Sequence, residues 1–90
     1  MKPITADLLL QRWSAELPSR AGRTLSRQLY ECLRGAILDG SLPAHSRLPA
    51  SRELAAEMGL GRNTVTNAYD QLLAEGYLRA LTGSGTYVAD

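Results

Sequence analysis

The sequence predicts a mainly α-helical domain with a small β-hairpin wing, the arrangement called a winged helix-turn-helix. Three observations predict this fold class. Apolar residues recur at helical spacing over residues 25–39, a glycine joins two short helical segments within residues 51–75, and two β-prone segments flank a turn-rich loop near the end of the chain. Helix, helix, helix and hairpin is the order of elements in a winged helix-turn-helix.

Length and composition limit the possible classes of protein. The chain has 90 residues, enough for one small domain that buries roughly 60 to 65% of its unfolded surface. The net charge is only +1, but residues 19–62 contain seven arginines and four acidic residues, so the sequence predicts a modest local basic surface. A single cysteine cannot form an internal disulfide, and no apolar run approaches the roughly 20 residues of a membrane span. We therefore expect a cytoplasmic protein.

Residues 1–24 are predicted to contain a short helix and a linker. Apolar residues at helical spacing predict a helix over residues 7–17, which ends before Pro18, and residues 18–23 have the composition of a linker. Trp13 lies on the apolar face of this helix. It can pack against the rest of the domain, against a second copy or against another domain, and the sequence leaves these three open.

Residues 25–90 are predicted to form the winged helix-turn-helix, and its first helix covers residues 25–39 and ends at Gly40. The apolar stripe of this helix is expected to form much of the core and consists of Leu25, Leu29, Cys32, Leu33, Ala36 and Ile37. We interpret Cys32 as a small buried hydrophobe. Residues 41–49 contain two prolines and are predicted to be an irregular connector, with His45 at a surface turn.

The helix-turn-helix is predicted to begin with a helix over residues 51–58. Ser51 is expected to cap this helix with its hydroxyl, and Gly59 permits the left-handed backbone of the following turn. The second helix, here called the reading helix, is predicted over residues 62–75 and ends at Gly76.

The two faces of the reading helix differ in polarity. At 100° per residue, the side toward the core holds Val65, Ala68, Tyr69 and Leu72. The side away from the core holds Asn63, Thr66, Asn67 and Asp70.

Arginine and asparagine can each make paired hydrogen bonds to base edges, so DNA is the expected partner. Phosphates would repel the Asp70 carboxylate, so we expect only residues 62–67 to enter a DNA groove. An ordinary solvated face is the alternative interpretation of these polar residues.

The wing is predicted from two β segments, residues 77–81 and 86–89, with residues 82–85 as its turn. The glycines of this turn indicate a hairpin tip rather than a phosphate cradle, because no strand-to-helix setting or following lysine accompanies them. Three tyrosines are interpreted as packing residues with hydroxyls at the surface: Tyr69, Tyr77 and Tyr87.

Residues 48–88 contain the segments LPASREL, RNTV, AYDQL, EGYL and GSGTYV in this order. The pattern resembles the DNA-binding domain of the GntR family of bacterial transcriptional regulators, and in particular its MocR/PdxR branch. The resemblance implies sequence-specific binding to double-stranded operator DNA. It places the reading helix 62–75 in the major groove and the wing 77–89 at the neighbouring minor groove, with two copies on a repeated site.

The resemblance also implies which residues contact DNA. Together with Asn67, which the helix geometry adds, the expected DNA-binding residues are Arg52, Gly61, Arg62, Asn63, Thr64, Thr66 and Gly83. Gly61 departs from the family pattern, because a serine or threonine usually stands there, so a helix cap and a hydroxyl contact to phosphate are missing. An ion pair on the domain's own surface is the alternative role for Arg52.

MocR-type regulators also have a large C-terminal domain that resembles aminotransferases and binds pyridoxal phosphate. No part of that domain is expected within these 90 residues, so we expect no cofactor here and interpret the sequence as a separated DNA-binding domain.

Two other classes of function fit the sequence less well. An enzyme is disfavoured because one histidine and one cysteine leave no catalytic or metal-ligand arrangement. A winged helix that binds another protein is the remaining alternative. Such a reading helix is expected to expose apolar anchors, whereas this one exposes arginine, asparagine and threonine.

Overall fold

The computed structural model describes residues 24–89, and within them it confirms the predicted winged helix-turn-helix. Three helices are present: α1 (Leu25–Leu38), α2 (Ser51–Met58) and α3 (Arg62–Ala74). Three strands form one antiparallel sheet: β1 (Arg47–Leu48), β2 (Leu78–Leu81) and β3 (Gly85–Val88), in the spatial order β1-β3-β2. The helix predicted over residues 7–17 and the linker that follows it lie outside the described residues.

Helix α1 supplies one wall of the core, as its apolar stripe predicts. Thr24 caps its start, because the Thr24 hydroxyl accepts a hydrogen bond from the Arg27 backbone N–H at 3.2 Å. The predicted burial of Cys32 is confirmed. Leu25 departs from the prediction, since it is 50% exposed at the first turn of the helix. The helix ends one residue earlier than predicted, and Asp39 is its C-cap.

The turn between α2 and α3 depends on Gly59, as predicted. Gly59 has φ +67°, and the backbone N–H groups of Leu60 and Gly59 donate to the carbonyls of Ala55 (2.9 Å) and Ala56 (3.4 Å). These two bonds satisfy carbonyls at the end of α2 and form a Schellman motif, which needs a left-handed residue at this place. The motif fixes the angle at which α3 leaves α2.

The predicted capping role of Ser51 is wrong. Ala50 is the N-cap of α2 and makes no side-chain cap, and Ser51 is already the first helical residue. The backbone N–H of Ala50 donates instead to Oε1 of Glu53 at 3.2 Å, so a carboxylate from the first turn stabilises the helix start. If Ser51 were the cap, the helix would begin at residue 52, whereas it begins at Ser51.

Strand β1 was not predicted, and the connector 41–49 is therefore not irregular throughout. Arg47 pairs with Tyr87 and Leu48 with Thr86 on β3. The backbone N–H groups of His45 and Val88 extend this ladder by donating to the carbonyls of Val88 and Ser46, both at 2.8 Å. Through these bonds the segment before α2 becomes the third strand of the wing.

The hairpin of the wing has the predicted place and slightly different ends. Leu78 pairs with Val88 and Leu81 with Gly85, so β2 begins one residue later than predicted and β3 begins and ends one residue earlier. The hairpin is closed by a loop at residues 82–84, within which Gly83 has φ +76°. Leu78 and Val88 are buried against the helices and attach the wing to the core.

The core is a single cluster to which every helix and strand contributes. Its largest fully buried side chains are Leu29, Leu33, Leu42, Leu54, Leu72, Val65, Val88 and Cys32. Helix α3 lies at the centre of this cluster, because it packs against α1, α2 and β2.

The tyrosine hydroxyls are not simply at the surface as predicted. Tyr69 is only 5% exposed, and its hydroxyl donates to the backbone carbonyl of Pro49 at 2.7 Å. Burial raises the pKa of Tyr69, with a further contribution from the Glu53 carboxylate, so the phenol stays protonated as a donor. The Tyr77 hydroxyl accepts from Nε of Arg34 at 3.1 Å, and the Tyr87 hydroxyl lies 2.7 Å from Oγ of Ser84.

We expect Tyr69→Phe to destabilise the domain, because it leaves the Pro49 carbonyl without its buried donor. The expected loss in the free energy of unfolding is about 1 to 2 kcal/mol, measured by urea unfolding. Tyr87→Phe is the matched control, since its exposed hydroxyl bond should contribute no more than about 0.5 kcal/mol. Equal stability of Tyr69→Phe and the wild type would contradict a supporting role for this bond.

Candidate nucleic-acid interface

The first half of α3 presents the polar side chains that the sequence analysis placed on it. Arg62, Asn63 and Asn67 are exposed, and Thr64 and Thr66 are half-buried. The opposite side is fully covered, and its buried residues are Val65, Ala68, Tyr69 and Leu72. The division into a core face and an outer face is therefore confirmed for these residues.

The start of α3 is open to an anionic ligand. Gly61 is its N-cap, with φ −69° and ψ 147°, and it offers no side-chain acceptor. Within residues 24–89 the backbone N–H groups of Arg62 and Asn63 have no acceptor, and the first turn contains no acidic residue. Free N–H groups at a helix start attract phosphates, because they lie at the positive end of the helix dipole.

Arg52 lies on the first turn of α2 and is exposed. The Tyr69 hydroxyl fixes this turn relative to α3, since it binds the Pro49 carbonyl two residues before the start of α2. Buried contacts of Leu54 and Ala55 hold the same helix against α3. The position of the first turn of α2, which carries Arg52, is therefore set by the packed core.

The wing lies across a groove from α3. Gly83 is exposed at the loop of the hairpin. The groove has a volume of about 300 Å³, and its polar lining consists of Arg47, Ser51, Thr66, Asp70 and Thr86. Asp70 is exposed on the second half of α3, as predicted. The structure thus brings the start of α2, the outer side of α3 and the base of the wing onto one continuous surface.

Arginines on this surface differ from those elsewhere in their partners. Nε of Arg27 lies 3.3 Å from Oε2 of Glu31. Arg34 binds the Tyr77 hydroxyl, and Cζ of Arg34 lies 5.5 Å from the centre of the Tyr77 ring. In contrast, within residues 24–89 no hydrogen bond or ion pair engages the guanidinium groups of Arg47, Arg52 and Arg62. The alternative of a surface ion pair for Arg52 is therefore not realised within that part of the chain.

Arg34 and Tyr30 belong to a separate polar cluster, whose residues do not line this groove. The Tyr30 hydroxyl donates to Oε1 of Glu75, and this bond raises the pKa of Tyr30. The hydrogen bond to Tyr77 raises the pKa of Arg34. These groups tie α1 to the end of α3 and to the start of the wing, so we assign them a structural role.

Sequence reasoning missed Arg47 as a site residue. Arg47 is one of the seven arginines of residues 19–62, but its place at the groove follows from the unpredicted strand β1. The only local signal in the sequence is a basic residue before the LPASREL segment.

Other classes of site have no geometric support in the described part of the chain. No group of three histidine, cysteine, aspartate or glutamate side chains within residues 24–89 is placed to hold a metal ion. None of the three helices combines the length and the apolar character needed to cross a membrane.

Fold and site together define a winged helix-turn-helix DNA-binding domain. The chain belongs to the gntR family of bacterial regulatory proteins, whose family model matches residues 25–88. The resemblance predicted from the LPASREL to GSGTYV segments is thereby confirmed.

Two of the relatives are the regulators for which the MocR/PdxR branch of this family is named. The chain is 57% identical over 65 residues to the probable rhizopine catabolism regulatory protein MocR of Rhizobium meliloti. It is 42% identical over 65 residues to the pyridoxine biosynthesis transcriptional regulator PdxR of Corynebacterium glutamicum. Each match covers 72% of this chain but only 13% and 14% of the two relatives, respectively, which are much longer proteins.

Solved structures give the same fold. YtrA from Sulfolobus acidocaldarius, a GntR-family transcription factor, matches with a TM-score of 0.72 and 27% identity, covering 78% of this chain and 73% of that one. The DNA-binding domain of AraR in complex with operator ORX1 matches with a TM-score of 0.68 and 29% identity, covering 73% of this chain and 80% of that one.

We expect Gly61→Ser to stabilise α3 by adding the missing cap. A Cβ atom at Gly61 would meet Oγ1 of Thr64 at 3.8 Å, an ordinary contact, and the backbone angles suit serine. The free energy of unfolding should rise by about 0.5 kcal/mol in urea titrations.

The control for this substitution is Gly61→Ala, which adds the Cβ atom without the hydroxyl. Alanine is a poor N-cap, so this variant should be about 1 kcal/mol less stable than Gly61→Ser. Equal stability of the two variants would show that the hydroxyl makes no cap.

Proposed function

We propose that this GntR-family DNA-binding domain reads a short operator half-site, with the start of α3 in the major groove and the loop 82–84 at the adjacent minor groove. The observation that supports this most directly is the start of α3, whose exposed polar side chains have no partner within residues 24–89 and lie beside the wing. The major groove of B-DNA is about 12 Å wide and admits one α-helix. The operator bound by the AraR domain makes DNA the natural partner for the same fold here.

In this arrangement the residues of α3 have separate roles. The exposed Arg62 guanidinium can donate to guanine O6 and N7 together, and the Asn63 or Asn67 amide can pair with adenine N6 and N7. Each good pair provides about 1 to 3 kcal/mol of discrimination between bases. These side chains would determine the preferred sequence.

Other groups would position the domain on the DNA backbone. We assign phosphate contacts to the Arg52 guanidinium, the half-buried hydroxyls of Thr64 and Thr66, and the backbone N–H groups that follow Gly61. Gly83, without a side chain at the wing loop, allows the backbone to approach the minor groove closely. Asp70 limits the insertion of α3, because its carboxylate would be repelled by phosphates.

The whole regulator is proposed to act as a dimer in the cytoplasm. Two copies on a repeated site bind more tightly than one, because the first contact raises the effective concentration of the second. The MocR and PdxR relatives are several times longer than this chain. We infer that a C-terminal pyridoxal phosphate domain in such a protein would sense the effector, and that the role of the present residues is binding rather than catalysis.

Binding to a protein partner is the less favoured function. The large exposed apolar residues within the described part of the chain are Leu25, Leu38 and Leu81. None of them lies on α3, so the reading helix lacks the apolar anchors that dominate protein interfaces.

The first experiment is a selection of the 90-residue chain against random duplex DNA, at a salt concentration that suppresses non-specific contacts. We expect an enriched motif, whose symmetry would show how two copies sit. A pool without enrichment would contradict sequence-specific reading by the single domain, and repeating the selection with an artificially dimerised domain would test whether specificity needs two tethered copies.

We expect Arg62→Ala and Arg52→Ala to weaken binding in different ways. Arg62→Ala should flatten the preference at one base position, because it removes a base contact. Arg52→Ala should weaken all sequences alike and lower the slope of log affinity against log salt by about 1. Fluorescence anisotropy on single-base variants of the enriched motif measures both. Equal, sequence-independent losses from the two substitutions would contradict base reading by Arg62.

A further inference from the structure

We propose that Arg47 is an additional phosphate contact, which binds the DNA strand that separates the two grooves, and that Gly85 is needed to hold its guanidinium in place. The proposal rests on the proposed function, because it requires α3 and the wing to lie in neighbouring grooves. Neither the family pattern nor the reading-helix geometry assigned this residue.

The position of Arg47 follows from the register of the sheet. Arg47 lies directly opposite Tyr87 on β3, and residues opposite each other in an antiparallel pair share a face. Gly85 is two residues from Tyr87 and therefore lies on the same face, nearer to the wing loop. The Arg47 side chain extends from its own strand toward that loop and crosses Gly85.

Gly85 leaves the space that this side chain occupies. A Cβ atom at Gly85 would lie 2.9 Å from Nε, 3.5 Å from Nη2 and 3.6 Å from Cζ of Arg47. Gly85 also has φ +131°, a conformation that residues with a side chain rarely adopt. The guanidinium is therefore placed directly on the backbone of the wing.

The groove beneath this guanidinium contains a carboxylate, so it can accept a phosphate only if a cation such as Arg47 is also present. Asp70 lines the same groove and would repel a phosphate, while Ser51, Thr66 and Thr86 offer hydroxyl groups. Within residues 24–89, the Arg47 guanidinium makes no ion pair or hydrogen bond, so its N–H groups are available to an external acceptor.

The path of the DNA passes over the same groove. If α3 enters the major groove and the loop 82–84 approaches the minor groove, the sugar-phosphate strand between them must cross from one to the other. The groove lies between these two elements, and Arg47 is the cation on its lining. Phosphate contacts of this kind set the register of a protein on DNA without reading sequence.

The chain offers a matched control in Arg79. Arg79 lies on β2 and pairs with Tyr87 of β3, which also pairs with Arg47 of β1. The three residues therefore form one row across the sheet. Both arginines are exposed and unpaired within the described residues, but Arg79 does not line the groove. Removing either one changes the net charge equally.

The test compares Arg47→Ala, Arg47→Lys and Arg79→Ala in the 90-residue chain. Affinity is measured by fluorescence anisotropy over a series of salt concentrations, on a duplex carrying the selected motif and on a shuffled duplex. Arg47→Ala should weaken both by the same factor, about tenfold, and should lower the salt slope by about 0.9. Arg47→Lys should keep most of the slope, and Arg79→Ala should change affinity less than about twofold.

A second arm tests the role of Gly85. Gly85→Ala keeps the charge but displaces the guanidinium, so among variants with a wild-type circular dichroism spectrum it should weaken binding. Combining it with Arg47→Ala should add little further loss, because both changes remove one contact. Should Gly85→Ala fail to fold, the Arg47 and Arg79 variants decide the proposal.

Two results would overturn this inference while leaving the proposed function intact. One is an unchanged salt slope in Arg47→Ala, and the other is an equal loss in Arg79→Ala, which would indicate a general charge effect. If the wild-type chain binds neither duplex, the proposed function itself fails and the role of Arg47 fails with it.

Discussion

Packing of α3 against α1 and α2 is the constraint on which the rest of the domain depends. Val65, Ala68, Tyr69 and Leu72 are buried on one side of this helix, and burial of apolar surface is the main favourable contribution to folding. Once these residues are buried, the rotation of α3 is fixed. Asn63 and Asn67 must then face outward, because they occupy the opposite side of the same helix, and Arg62 is exposed at its first turn.

The same packing determines where the neighbouring elements begin. The Tyr69 hydroxyl reaches past the core to the Pro49 carbonyl, which connects α3 to the residues between β1 and α2. Those residues in turn connect the start of α2, with Arg52, to the wing through the pairing of β1 with β3. One surface made of three separate segments therefore results from one buried helix face and two hydrogen-bonded links.

A small net charge is compatible with DNA binding, because it matters more which arginines are bound to neighbouring side chains than how large the net charge is. Arg27 and Arg34 interact with neighbouring side chains, whereas the arginines near α2, α3 and the wing have no partner within the described residues. Unpaired cations keep their attraction for an external anion, and a concentrated patch acts over about a Debye length. The domain can thus bind phosphates locally without being a polycation.

Much of the fold and part of the candidate site follow from local sequence patterns. Helical periodicity predicts α1 and α3, the left-handed requirement predicts Gly59, and the turn-rich loop predicts the hairpin. These signals are local, because each arises from residues within one element or its ends. The exposure of Asn63 and Asn67 follows for the same reason, since it needs only the helical repeat and the apolar positions.

The tertiary structure alone decided the features that join distant segments. Strand β1 has two residues, too few for an alternating pattern, and it exists because β3 offers a free edge beside it. The position of Arg47 over Gly85 and the burial of the Tyr69 hydroxyl have the same origin. The sequence by itself determined the helices, the turn and the polar side of α3, because their causes are local. Only folding determined how α2, α3 and the wing combine into one surface, because that depends on contacts between residues far apart in the chain.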